Sequence, residues 1–176
     1  MTLADELGNA SCQSAAYNSL GTAYENVGDY KKAIEFHKKH LLMAINLNDK
    51  SGQGAAYGNL GSAYRNLGEY KLAIGLHGKH LLIAMELGDR PGQGHACSNL
   101  GNAFWSIGEY EKAIELHQKH LAVVTDLGDA LGQARAYGNL GNALGRTGDY
   151  NKAIEIHDKH QSVEMELKNK PGQLED

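Results

Sequence analysis

The sequence predicts an all-α protein, a right-handed solenoid of four helical hairpins, from three observations. Four blocks of 40 residues, which begin at Ser11, Ser51, Pro91 and Leu131, align without an insertion or a deletion. Within each block the apolar residues recur at helical spacing in two runs. The glycines, 22 in 176 residues, fall mainly at the same positions of successive blocks. Units that repeat in this way stack on their neighbours into a solenoid.

The first run of each block predicts a helix A, from about Gln13 to Asn26 in the first copy. Gly28 follows it and predicts a left-handed helix end. Gly21 lies in mid-helix, where glycine costs about 1 kcal/mol relative to alanine. Its recurrence predicts close approach of a partner helix. The apolar positions are Ala16, Tyr17, Leu20, Ala23 and Tyr24.

The second run predicts a helix B from about Tyr30 to Leu47. Asp29 precedes it, where a helix N-terminus favours negative charge. A short loop, residues 48–50, then restarts helix A, and Pro91 falls at such a start, where its missing N–H does no harm. The inner face of helix B comprises Ala33, Ile34, His37, His40, Leu41, Ala44 and Ile45.

The repeat register predicts one solenoid domain over residues 1–176. Residues 3–9 match 83–89, so residues 1–10 are predicted to be the tail of a preceding repeat. The full repeats are 11–50, 51–90, 91–130 and 131–170, and residues 171–176 are predicted to begin a fifth.

Composition excludes several classes of protein. With 41% hydrophobic and 22% charged residues the chain is predicted to be folded. No apolar run approaches the 18 residues of a membrane helix. A net charge of −4 argues against a nucleic-acid partner. The first residues lack the basic and apolar regions of a secretory signal, so we expect a cytoplasmic location.

The Leu-Gly-x-Ala-Tyr motif at residues 20–24, the glycine before helix B and Ala33-Ile34 within it together resemble the tetratricopeptide repeat. The period is 40 rather than the usual 34. Asn-Leu-Gly-x-Ala at 59–63, His-x-Lys-His-Leu at 37–41 and Leu-Gly-Asp-Arg at 87–90 look like repeats of the LGN/Pins family of polarity adaptors. The resemblance implies that helices A line a concave groove, without enzymatic activity, and that Asn and Arg in the groove bind extended protein segments.

The residues that vary on helix A define the candidate groove. Asn59, Asn99 and Asn139 recur in step, and an amide offers both a donor and an acceptor to a peptide main chain. The arginines make this face basic, which predicts an acidic peptide as partner. The candidate peptide-binding residues are Asn26, Asn59, Ser62, Arg65, Asn66, His95, Asn99, Asn102, Trp105, Arg135, Asn139, Asn142 and Arg146.

Self-assembly into homo-oligomers through the solenoid ends is the competing hypothesis. The first helix A would expose Ala15, Ala16 and Ala23, which normally stack on a neighbour. At the other end, the last helix B is more polar than its siblings and would limit stacking. There Gln161, Ser162 and Glu164 replace Leu41, Leu42 and Ala44.

The histidines form pairs at i, i+3 on helix B: His37/His40, His77/His80, His117/His120 and His157/His160. Such pairs can ligate zinc, but no acid or thiol recurs to complete a site. We therefore expect packing histidines, no metal, no cofactor and no enzyme, and a metalloenzyme is the weakest alternative. Burial would lower their pKa values, whereas nearby Glu35 and Glu115 would raise them. Cys97 lies in a core column and is expected to be inert.

Overall fold

The computed structural model describes residues 3–169, and this part of the chain folds into eight α-helices without a strand. Helices A are α1, α3, α5 and α7, and helices B are α2, α4, α6 and α8. Their bounds are α1 Leu3–Asn26, α2 Tyr30–Asn46, α3 Lys50–Asn66, α4 Tyr70–Glu86, α5 Arg90–Ser106, α6 Tyr110–Asp126, α7 Ala130–Thr147 and α8 Tyr150–Lys168.

Helices that follow one another along the chain pack together. Helix A packs on helix B of its own repeat in α1/α2, α3/α4 and α7/α8, and helix B packs on the next helix A in α2/α3 and α6/α7. The predicted all-α solenoid of helical hairpins is confirmed. The chain divides into two compact units, Met1–Gly92 and Gln93–Asp176.

The helices end at the glycines that the sequence marks as terminators. Gly28 has a φ of 79° and Gly108 a φ of 83°, both in the left-handed region that a residue without Cβ enters freely. Asn48 occupies the equivalent of Gly88 and has a φ of 52°, which asparagine tolerates better than other side chains do.

Aspartates cap the starts of the helices. Asp49 Oδ1 accepts a hydrogen bond from the Gly52 N–H at 2.9 Å, and Asp129 Oδ1 accepts one from the Gly132 N–H at 2.8 Å. A Cβ at Gly52 would collide with the Asp49 carboxylate. This close approach explains why glycine recurs three residues after each of these aspartates.

Each mid-helix glycine of helix A is covered by a histidine ring of helix B. A Cβ at Gly61 would lie 2.6 Å from Cε1 and Nδ1 of His77, and one at Gly101 would lie 2.8 Å from Nδ1 of His117. The predicted close approach of the partner helix is confirmed, and its cause is an imidazole packed flat against the glycine.

The hydrophobic core is made of small and branched side chains between the helices. In the first unit, Ala33 and Ile34 of α2 form a buried cluster with Leu60 and Ala63 of α3. In the second unit, Leu140 and Leu144 of α7 and Ala153 of α8 form another. Ile114, Leu121 and Ile156 pack against this second cluster.

The first helix is longer than the other A helices. In the described part, α1 runs from Leu3 through Gly8 to Asn26 without a break. Cys12 stands where later repeats have Gly52, and Asn9 where they have Asp49, so the glycine that makes room for the capping side chain is missing. Without that cap the helix continues. Residues 171–176 lie outside the described residues.

Candidate functional site

All the candidate groove residues are accessible on the A helices. Asn26 ends α1, while the others lie on α3, α5 and α7, and none of them is buried. The side chains of this polar face are therefore at least partly exposed, but their surroundings differ from one residue to the next.

An amide pair joins α1 and α3 in the first unit. Asn59 Nδ2 of α3 donates a hydrogen bond of 2.8 Å to Asn18 Oδ1 of α1, and both side chains are partly buried. Asn59 thus retains one N–H and its oxygen for a partner. The bond shows that equivalent faces of successive A helices lie side by side.

The first cavity lies beside this amide pair and has a volume of about 290 Å³. It lies between α1, α2 and the start of α3, and its polar lining includes Ser14, Asn18, His40, Asp49 and Ser51. His40 is 6% exposed. Hydroxyl groups, an amide, an imidazole and a carboxylate therefore line the same small space.

The second cavity lies in the second unit and has a volume of about 120 Å³. It brings together His95, Asn99 and Arg135, three of the predicted groove residues, with His120 and Asp129. Burial lowers the pKa of His120 first, the nearby Arg135 and His95 lower it further, and Asp129 opposes them. The guanidinium of Arg135 places a positive charge at this cavity, where it can attract an anion, and Asp129 places a negative charge there.

Arg146 and Trp105 belong to a separate cluster at the ends of their helices. Arg146 Nη2 donates to the Tyr110 hydroxyl at 2.9 Å, and its guanidinium lies 5.3 Å from the centre of that ring. The Trp105 and Tyr110 rings meet edge to face with centroids 6.4 Å apart. The sequence did not single out Tyr110 as a site residue, because a tyrosine begins helix B in each of the four repeats.

Arg65 lies close to a buried histidine. Its Nε is buried without a hydrogen-bond partner among the described residues, and its charge contributes to lowering the pKa of His77. Glu25, at the same place in the first repeat, approaches His37 at 3.6 Å between Oε2 and Nε2. In both repeats the residue at this position therefore lies close to a buried histidine of helix B.

The remaining predicted residues lie on the same A helices but line neither of these two cavities. They are Asn26, Ser62, Asn66, Asn102, Asn139 and Asn142.

Some of the paired histidines are buried packing residues, and others are not. His37, His77 and His117 are at most 1% exposed, and His40 and His120 are also buried. Burial lowers the pKa of His77 to about 4, with His80 and Arg65 adding to the effect, and lowers that of His117 to about 4, with His120 adding to it. The expectation that all eight are buried is wrong, because His157 is exposed and His80 and His160 are only partly covered.

Two other sequence expectations concern metal and thiol chemistry. Within residues 3–169 no group of three or more His, Cys, Asp or Glu side chains is placed to hold a metal ion. Cys97 is buried as predicted, and burial raises the pKa of its thiol while Lys119 opposes this. None of the helices in the described part is long and apolar enough to cross a membrane.

The cavities also contain residues that sequence reasoning assigned to packing or to loops. His40 and His120 were expected only between helices, and Asp49 and Asp129 only in connections. The signal that could have found them is their spacing, since each pair is separated by two repeats. Pattern alone does not show that the capping aspartate and the second histidine of a pair meet across a space.

The chain belongs to the tetratricopeptide repeat family, whose profile matches residues 12–84, 52–126 and 95–162. Proteins built from these repeats are protein-interaction modules, so this chain is a scaffold for protein partners. No curated protein matches the chain.

Solved structures of several different proteins have the same fold. BtubC from P. vanneervenii is 20% identical, with a TM-score of 0.83 over 93% of this chain and 67% of BtubC. MamA is 26% identical, with a TM-score of 0.70 over 89% of this chain and 81% of MamA. A signal transduction ATPase with a tetratricopeptide repeat sensor, from Pyrococcus horikoshii, is 22% identical, with a TM-score of 0.79 over 89% of this chain and 24% of that protein.

Proposed function

We propose that this protein is a non-enzymatic scaffold of the LGN/Pins-like type that binds an extended, acidic peptide along the faces of its A helices. The observation that carries the proposal is the second cavity, where His95, Asn99 and Arg135 converge. A guanidinium and an amide side by side bind a carboxylate well, the first through charge and paired N–H groups and the second as a further donor.

The amide column supports an extended main chain as the rest of the ligand. Asn59, Asn99 and Asn139 occur at the same place in successive repeats and are all partly exposed. Amides at regular intervals can pair with peptide N–H and C=O groups, as a neighbouring strand would. The peptide is therefore held by its backbone and selected by its acidic side chains.

The test is binding of acidic peptides by a double variant, Asn99→Ala with Asn139→Ala. Fluorescently labelled Glu- and Asp-rich 12-residue peptides are titrated in anisotropy measurements, with Gln and Asn versions for comparison. We expect the wild type to bind acidic sequences more tightly, the preference to weaken with salt, and the variant to lose binding. Helicity and Tm should stay nearly unchanged, because both side chains are accessible.

The matched control is Asn46→Ala with Asn151→Ala, which removes two exposed amides from B helices. This control should bind as the wild type does. If the groove variant keeps full affinity, or the control loses as much, then the peptide does not lie on the A helices.

Self-assembly is the second candidate function, and the exposed end helices favour it. Leu20 on α1 is 43% exposed, although its equivalents Leu60 and Leu140 are at most 3% exposed. On α8, Ile154 is 61% and Met165 50% exposed. Apolar faces of this kind favour stacking on a second copy.

Light scattering at several protein concentrations tests this second function. Wild type should form oligomers as concentration rises, and Leu20→Glu with Ile154→Glu should remain monomeric. A wild-type protein that is monomeric throughout that range would exclude assembly through these ends.

A further inference from the structure

The two cavities are the same site built two repeats apart. Five of the six residues that line the second cavity correspond to residues that line the first at a separation of 80 positions, which is twice the repeat length. His40 corresponds to His120 and Asp49 to Asp129. The correspondence makes each cavity a natural control for the other, because the backbone that forms them is equivalent.

The cavities differ in charge at two corresponding positions. The second cavity has His95 and Arg135, whereas the first has Ala15 and Ala55. Among the described residues, no lysine or arginine lines the first cavity. With the arginine absent and the aspartate kept, the first cavity presents negative charge to a ligand.

The carboxylate in the first cavity keeps capacity for a ligand. Asp49 uses Oδ1 to accept from the Gly52 N–H. The adjacent Lys50 is turned to another partner, since its Nζ lies 3.2 Å from Glu86 Oε2. A carboxylate has about four lone-pair positions, so the cap leaves Asp49 able to accept further hydrogen bonds.

A buried imidazole adds a second observation that points to a ligand. His40 is 6% exposed, and its Nδ1 has no hydrogen-bond partner among the described residues. Ser14, also 6% exposed, lines the same space. Nδ1 of His120 is likewise unpaired beside the second cavity, so the imidazole is common to both cavities and the residues at positions 15 and 55 distinguish the first.

We propose that the first cavity binds a primary ammonium group, the Nζ of a lysine side chain in a partner protein. An ammonium carries one positive charge and three donors, which match the carboxylate of Asp49 and the neutral acceptors around it. The volume of about 290 Å³ is roughly ten times the ~30 Å³ of one water molecule, enough for an aminobutyl chain. The partner class rests on the proposed function, but the ammonium site itself does not.

The test uses n-butylammonium chloride as the probe and follows backbone amide NMR signals of the folded protein at pH 7. We expect saturable shifts around Asp49 and Ser51 and none with n-butanol or butyrate at equal concentration. Asp49→Asn should weaken binding about tenfold or more, the usual scale for a charge-assisted hydrogen bond. Asparagine caps a helix as well as aspartate does, so this variant keeps the fold.

Two variants complete the design. Ala55→Arg gives the first cavity the arginine of the second and should abolish butylammonium binding. Asp129→Asn makes the Asp49 change at the corresponding place in the second cavity and should leave the probe's affinity unchanged. Butanol that binds as well as butylammonium, or an Asp49→Asn variant that binds normally while folded, would overturn the ammonium site.

Peptides decide the source of the ammonium. An amino-terminally acetylated peptide with one lysine should shift the same signals, and its Nε-acetyl-lysine version should not. Signals shifted only by a lysine-free peptide with a free amino terminus would overturn the lysine assignment. The Asn99→Ala, Asn139→Ala variant should still bind butylammonium, so failure of the acidic-peptide proposal and failure of this one are separate outcomes.

Discussion

At the scale of single residues, the first histidine of each B helix is the least expected member of the core. His37, His77 and His117 are the largest fully buried side chains among the residues described. An imidazole at this place fills the space left by a glycine on the facing helix. It does so at the cost of placing a titratable group where a charge is poorly solvated.

Burial of these rings predicts a loss of stability in mild acid. The folded pKa of about 4 for His77 and for His117 lies below the unfolded value of 6.5, so the unfolded chain binds more protons between these limits. The stabilisation is complete above about pH 6.5 and is lost as pH falls towards 4. At pH 5 each of these two rings should lower the free energy of unfolding by about 2 kcal/mol relative to neutral pH.

Thermal unfolding from pH 8 to pH 5 measures this effect. The Tm of the wild type should fall below pH 6.5, and a variant with Gln at His77 and His117 should show a shallower fall. His157→Gln is the matched control, since its ring is exposed. A wild-type Tm that does not change with pH would mean that water reaches the rings of α4 and α6.

At the scale of helices, glycine sets how closely A and B approach. Gly61 lies against His77, while Gly75 on α4 has no atom within 4 Å of the place its Cβ would take. Gly61 therefore allows close packing of the two helices, whereas Gly75 has no such role.

Substitution by alanine should separate these two roles. Gly61→Ala should destabilise the protein by about 1–3 kcal/mol, because the new methyl overlaps a buried ring and outweighs the gain in helix propensity. Gly75→Ala should stabilise it by up to about 1 kcal/mol, since only propensity changes. Urea unfolding gives both free energies, and a stabilising Gly61→Ala would show that the ring moves aside at little cost.

At the scale of the whole molecule, consecutive helices pack together within each compact unit, so stability should grow with repeat number. The boundary between the compact units, at residues 92 and 93, falls inside the repeat array. The repeat boundaries, 11–50 to 131–170, remain a proposal based on sequence register.

Deletion of residues 131–170 should lower Tm but leave a folded, helical remainder. The reason is that residues 11–130 retain most of their packing partners when the last repeat is lost. Circular dichroism during heating measures both quantities. A three-repeat protein that is unfolded at 25 °C would contradict additive stability and indicate a single cooperative domain.

The sequence by itself determined the helices and their ends, because these depend on local interactions. The period of 40, the apolar spacing and the terminal glycines predict the B helices and the ends of the A helices to within about one residue, whereas α3, α5 and α7 begin three residues before the predicted start. The exception at Gly8 is also local in cause, since Cys12 replaces the glycine that a capped turn requires. Comparison of Cys12 with the equivalent glycines of the later repeats could have predicted this longer first helix.

Only the tertiary structure decided which of the equivalent residues meet and what surrounds them. Repeated histidines are identical in sequence, but His117 is buried and His157 exposed, because burial depends on whether another element covers the helix. Likewise, His95 and Arg135 are 40 positions apart, and only packing of successive A helices brings them to one cavity. Contacts between distant segments depend on the whole arrangement of helices, which the local pattern of any one repeat does not contain.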